Sequence, residues 1–276
     1  MKTCIIVIPI YKEIPSNSER ESFEQALKIL KKYDIVIITH KILNLDCYYE
    51  IAYKYKKDVH IEYFEKDFFT SIQGYNSLCL STIFYNRFKN YEYMLIYQLD
   101  AWIFKDELKY WCEKGYDYLG APVYINNNFL GVGNGGLSLR RNQYCLKILE
   151  RKHKKMPFFK PSAFIKLYCS KYKFNIKTYL YFYSKILIRT LGFHNNLKYF
   201  MNGDNINEDY IFGILANDAW GVKAKIPSFE EAARFSFESH PSDLYKKLGN
   251  KLPFGCHAFY KWDYDSFWME YIPIKK

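Results

Sequence analysis

Short runs rich in Ile, Val and Tyr recur along the chain, separated by longer segments in which apolar residues return at helical spacing. No other feature constrains the fold as strongly. Strands that are apolar throughout must be covered on both faces, and crossover helices between parallel strands supply that cover. The runs Cys4–Ile10, Ile35–Thr39, Val59–Phe64 and Tyr93–Leu99 read as the first four strands. The helix after the first strand is predicted to open with Ser18 and Glu21 in capping-box spacing and to bury Phe23, Ala26, Leu27 and Leu30. One long helix is expected over about Thr70–Phe88, and a further strand over Gly136–Leu139. The fold class is therefore α/β, a mixed, mostly parallel sheet flanked by helices. With 276 residues and no internal repeat or low-complexity linker, residues 1–276 read as a single domain.

The charge is localised. From Arg151 to Phe200 there are twelve Lys and Arg and no Asp or Glu, so this stretch carries all of the net charge of +11 and the remainder is nearly neutral. Residues 151–200 read as a basic, aromatic helical insertion in two pieces. Pro161 and Ser162 open the first, while Ile176, Tyr179, Leu180, Tyr183 and Leu187 fall on one face of the second, which stops at Gly192. Tyrosines at headgroup level with lysines outward would suit an anionic membrane surface; a solvated insertion packed on the core accounts for the same pattern. The seven cysteines are widely spaced, odd in number and form no C-x-x-C pair, which points to a reducing, cytoplasmic setting. The N-terminal segment reads as a buried strand, not a signal peptide, and no run of about 18 apolar residues is present to span a bilayer.

Four segments can carry chemistry. Tyr93–Trp102 ends a hydrophobic strand in Asp100, at the strand edge where open α/β sheets collect ligands; a carboxylate there suits a hard divalent cation or simply caps the next turn. Gly131–Arg140 holds four glycines in six positions. They let backbone approach a ligand closely, and Asn134 among them can donate an amide to sugar hydroxyls. These glycines lead into a strand instead of opening a helix, which disfavours a dinucleotide site. Asn207-Glu208-Asp209 sets two carboxylates at a helix start, as a general base or as caps. Leu252–Trp262 contains His257, a candidate metal or phosphate contact and equally a structural histidine. Cys256 beside it has no visible feature to activate a thiolate.

In this order, Tyr97-Gln-Leu-Asp-Ala-Trp102, Gly115–Pro122, Gly133–Leu139, Asn207-Glu-Asp209 and Pro253-Phe-Gly-Cys-His257 resemble a bacterial family of glycosyltransferase-like domains of the GT-A class. The resemblance implies a GT-A-like fold and transfer of a sugar, hexosyl in kind, from a nucleotide-sugar donor to a glycan or lipid-linked acceptor, as in surface polysaccharide or lipopolysaccharide synthesis. It implies that Asp100 is the surviving acid of a D-x-D motif and shares a Mn2+ or Mg2+ ion with His257. Asn134, Gly135 and Gly136 would line the donor sugar, Pro9 and Tyr11 would lie near the base, and Asp209 or Glu208 would activate the acceptor. Gln98 departs from the motif, standing where its first acid belongs, and keeps a non-catalytic binding scaffold as an alternative. A nucleic-acid-binding protein using the basic block is the other alternative, although no nucleic-acid motif is present.

Overall fold

A computed structural model describes residues 2–125, 128–151, 161, 162, 165, 175–199, 206–215 and 223–274. A six-stranded sheet forms its centre, in the order β3 (Val59–Tyr63), β2 (Asp34–Thr39), β1 (Lys2–Pro9), β4 (Tyr91–Tyr97), β9 (Leu137–Arg141), β6 (Tyr118–Leu119). The first four strands are parallel to their neighbours, and β9 runs antiparallel to both β4 and β6. The mixed, mostly parallel α/β sheet expected from the sequence is thus the observed fold class.

Alternation along the strands divides the core. Cys4, Ile6 and Ile8 of β1 face a layer built from Phe23 and Leu27 of α1 (Asn17–Ile29), Tyr48 and Ile51 of α2 (Asp46–Lys54), and Trp111 of α5 (Leu108–Glu113). Ile5 and Val7 face Leu78 of α3 (Ile72–Cys79), Phe84 and Tyr85 of α4 (Thr82–Arg87), and Ile148 of α6 (Asn142–Leu149). Burial on both faces explains why these strands are apolar without interruption.

Local details differ from the sequence expectation in two places. The capping box of α1 is Ser16 with Glu19, not Ser18 with Glu21: Ser16 Oγ accepts from the Glu19 N–H, and Glu19 Oε2 accepts from the Ser16 N–H at 2.7 Å. Ser18 sits inside the first turn, with its hydroxyl 3.0 Å from that of Ser16. The long helix over Thr70–Phe88 is two helices, because the Ser81 hydroxyl takes the Phe84 N–H and starts α4 afresh.

Two further pieces position the site. A three-stranded sheet joins β5 (Ala101–Ile103), β11 (Gly255–His257) and β10 (Ser236–Phe237), with β11 antiparallel to β5 and parallel to β10. A short helix α8 (Glu208–Tyr210) runs into a buried π-type turn, Ile211–Leu215, which packs on β8 (Asn128–Val132). A Cβ on Gly213 would stand 1.9 Å from the Val132 carbonyl oxygen, so only glycine permits that approach.

Of the basic block, the first expected helix lies almost wholly outside the described residues. The second is present as α7 (Ile176–Thr190), capped by Asn175, whose Oδ1 accepts from the Thr178 N–H at 2.9 Å. It docks through Phe182 and Ile186, and the expected face of Ile176, Tyr179, Leu180, Tyr183 and Leu187 is exposed. Among the described residues no helix is long and apolar enough to cross a membrane.

Candidate active site

Strand register assembles the site. β5 begins directly after Asp100 and pairs Ala101 with His257, so the histidine arrives beside that carboxylate. β10 pairs Phe237 with Cys256, which carries Glu238 to the other side of His257. β9 pairs Leu137 with Tyr97, and the Gln98 N–H donates to the Gly136 carbonyl at 2.8 Å, laying the glycine loop across the end of β4.

The imidazole is bracketed by carboxylates. Its Nε2 lies 3.0 Å from Asp100 Oδ1 and 3.3 Å from Gln98 Oε1, and its Nδ1 lies 3.4 Å from Glu238 Oε1. Burial opposes a charge on the ring, but Asp100 and Glu238 outweigh it and raise the pKa to about 10. Burial likewise works against ionisation of Asp100, and the His257 imidazolium holds its pKa below the ordinary value. Cys256, next to His257, is fully buried; burial and then Asp100 push its thiol well up, which removes it as a nucleophile.

Asp209 reaches the same loop from α8. Its Oδ2 accepts from the Asn134 N–H at 2.9 Å and its Oδ1 from the Tyr210 N–H at 2.9 Å. Burial first, then the charges of Glu208 and Glu238, raise its pKa to about 7 against these two N–H groups. Glu208 turns the other way. Its Oε1 receives Arg140 at 2.8 Å, an ion pair with both side chains buried, and the guanidinium also donates to Tyr85 Oη, Ser138 Oγ and the Gly135 carbonyl.

The loop glycines make room for the protein's own side chains. A Cβ on Gly133 would lie 3.2 Å from Asp209 Oδ2, one on Gly135 would lie 2.3 Å from Glu208 Oε1, and one on Gly136 would lie 2.0 Å from His257 Nε2. Asn134 between them adopts φ +69° and is buried. Its amide donates to Ser236 Oγ and its carbonyl accepts from the Leu137 N–H, so the side chain holds the loop and does not point into the crevice. Pro9 is buried as the last residue of β1, while Tyr11, two residues on, is exposed; burial, then Glu19 and also Asp100, raise its pKa.

Asp100, Gln98, His257 and Asp209 therefore share one region with Gly133–Gly136. Glu238 and Arg140 belong to it as well and are not evident from sequence. The alternation Arg234-Phe-Ser-Phe-Glu238 shortly before His257 is the one trace of Glu238. Among the described residues no three His, Cys, Asp or Glu surround a common point suited to a metal. The donor chemistry nevertheless fits a Mg2+ or Mn2+ ion shared with a diphosphate. Such ions take one or two protein ligands and complete their shell with other oxygens. Asp100 Oδ1 and His257 Nε2, 3.0 Å apart, would be those ligands, and Glu238 Oε1 lies 3.4 Å from the opposite ring nitrogen.

A family model described as "Protein of unknown function (DUF5672)" matches residues 58–257, from before Gln98 to His257 itself. No curated protein matches the sequence. Among solved structures, the chain is similar to core-mannan synthase A from Aspergillus fumigatus in a Mn/GDP form, at 10% identity and TM-score 0.37, over 52% of this chain and 60% of that one. It is similar to S. aureus TarS 1–349, at 14% identity and TM-score 0.35, over 54% and 49%, a protein also solved with UDP-GlcNAc. A cytidylyltransferase from Leptospira borgpetersenii overlaps at 12% identity and TM-score 0.32, over 53% and 62%. The overlaps span about half to three-fifths of those structures and carry no information about substrate.

Proposed function

The chain belongs to the DUF5672 family, and we propose that it is a nucleotide-sugar-dependent glycosyltransferase. It transfers a hexosyl group to a hydroxyl of a glycan or lipid-linked acceptor, in surface polysaccharide or lipopolysaccharide synthesis in the cytoplasm. The observation that carries this reading is the meeting, at the carboxyl end of β4, of Asp100 and His257 with the glycine loop and a buried Asp209 of pKa about 7.

In this reading Asp100 and His257 hold a divalent cation, with Gln98 beside them. The cation, when bound, offsets charge developing on the leaving diphosphate. To hold the cation His257 would release its Nε2 proton to solvent, with the Glu238 carboxylate 3.4 Å from its other ring nitrogen. Gly135 and Gly136, packed against Glu208 and His257, form the wall beside the donor sugar, Asn134 fixes their path, and Tyr11 beyond Pro9 faces the nucleotide. Asp209 accepts the proton of the acceptor hydroxyl, whose oxygen forms the new bond to the anomeric carbon as the bond to the diphosphate breaks. A group titrating near 7 suits that task, and direct displacement inverts the anomeric centre. Glu208, committed to Arg140, supports α8.

The described cysteines are all free, in keeping with a reducing compartment. The test is a thermal-shift screen of UDP, GDP, CMP and TDP sugars with and without manganese. One nucleotide class should stabilise the protein by about 2.7 kcal/mol at a hundredfold excess over Kd, and Asp100→Ala should remove the manganese dependence. If no nucleotide sugar shifts the melting temperature, the reading fails. A product retaining the donor's anomeric configuration would remove Asp209 from its role.

A further inference from the structure

Helix α7 carries apolar residues on two sides, and only one is used inside the fold. Phe182 is buried and Ile186 packs beside it against the core. About a third of the way round the helix from these, Ile176, Leu180, Tyr183, Leu187 and Leu191 follow one another at spacings of four, three, four and four, which aligns them along one stripe. Their exposures are 79, 64, 56, 60 and 64%. Phe193, just beyond the Gly192 turn at φ +87°, extends the stripe at 65% exposure. Scattered exposed apolar residues are ordinary, but six in one continuous line mark a surface that something covers.

The charge around the stripe selects what covers it. Helix α7 itself holds Lys177, Lys185 and Arg189 and no acid, with Lys177 exposed, and Lys198 shortly after the helix is exposed as well. A second copy of the same face would set these cations against their equivalents, which opposes self-association. A nucleic acid would be met by cations and stacking rings, whereas Tyr183 is the one ring of the helical stripe and Ile176, Leu180, Leu187 and Leu191 around it are aliphatic. An anionic bilayer satisfies both features: its acyl boundary takes the aliphatic line, and its headgroups take the lysines and the tyrosine hydroxyl.

We infer that the outward face of α7 is a docking surface for an anionic lipid bilayer, lying in the interface with its axis parallel to the membrane. The inference stands on α7 and the turn that follows it and does not depend on the catalytic reading.

Co-sedimentation of the full chain with vesicles tests it. Vesicles of phosphatidylcholine with about one-third phosphatidylglycerol should bind the protein, pure phosphatidylcholine should bind it at least about tenfold more weakly, and salt should reduce the difference. The double variant Leu180→Asp/Leu187→Asp should bind the anionic vesicles about 100-fold more weakly, since each leucine withdrawn from the acyl boundary is worth about a factor of ten. Both positions are exposed, so its circular dichroism and melting temperature should match the wild type. Two control variants at exposed polar positions of the same helix, Ser184→Asp and Thr190→Asp, should bind far better than the leucine variant. Equal binding to neutral and anionic vesicles, or anionic binding unaffected by the leucine changes, overturns the inference. So does a concentration-dependent dimer that the leucine changes abolish while vesicle binding is absent.

Discussion

Replacing Gly136 by alanine perturbs the candidate site at its most crowded point. The new methyl would lie 2.0 Å from His257 Nε2 and 2.7 Å from Gln98 Oε1. Non-bonded contact requires about 3.5 Å, so the imidazole must retreat by about 1.5 Å. Cys256 and Phe259 on either side of that segment are fully buried, which leaves the ring little freedom to do so while keeping its partners. The 3.0 Å contact to Asp100 is lost, and overpacking of this kind costs about 1–3 kcal/mol of stability. The assay is an NMR titration of the His257 ring, assigned with a His257→Gln variant. In the wild type the ring should titrate at about 10; in Gly136→Ala it should move toward the ordinary value of about 6.5. Stability should follow. Because the folded-state pKa is raised, the stabilisation from His257 is complete below about pH 6.5 and disappears as pH rises through about 10 in the wild type. That loss should be much smaller in Gly136→Ala. Gly249→Ala serves as control, since a Cβ there meets nothing within 4 Å and costs only the strain of φ +66°, about 1 kcal/mol. Unchanged titration of His257 in Gly136→Ala would refute the close approach of loop and ring.

Two other outcomes are expected. Glu208→Gln should destabilise by about 3–5 kcal/mol in denaturant unfolding, because it leaves the fully buried Arg140 without its counter-charge; Arg140→Met/Glu208→Leu together should recover most of that loss, and a double variant as unstable as the single would show that the pair's hydrogen bonds matter more than its charge. Asp209 has a raised folded-state pKa, so the wild type should lose stability as pH rises from about 4 to about 7. Asp209→Asn should flatten that slope in thermal melts at a series of pH values and abolish transfer, whereas an unaltered slope would place the titration elsewhere.

The central sheet is legible in the sequence because β1, β2 and β4 are buried on both faces, which leaves unbroken apolar runs that few other arrangements tolerate. Asp100 is legible for the same reason: it is the first charge after such a run. What escapes is set by pairing across long distances or by direction. β10 is two residues long, so nothing local announces that Glu238 will face His257. Periodicity finds a face on α7 but not the side to which it turns, and Phe182 decides that through the core. The glycines of the loop are visible as permission for close approach. Only coordinates reveal that Asp209, Glu208 and His257 are the groups approaching, and that the left-handed turn at Asn134 folds its amide inward.

Gln98 and His257 meet across 159 residues, brought together by the three-residue strand β11. During synthesis the parallel core can form while that strand is still unmade or inside the ribosome. The contact between His257 and Asp100 is thus made only when β11 pairs with β5, after every strand of the six-stranded sheet has been made.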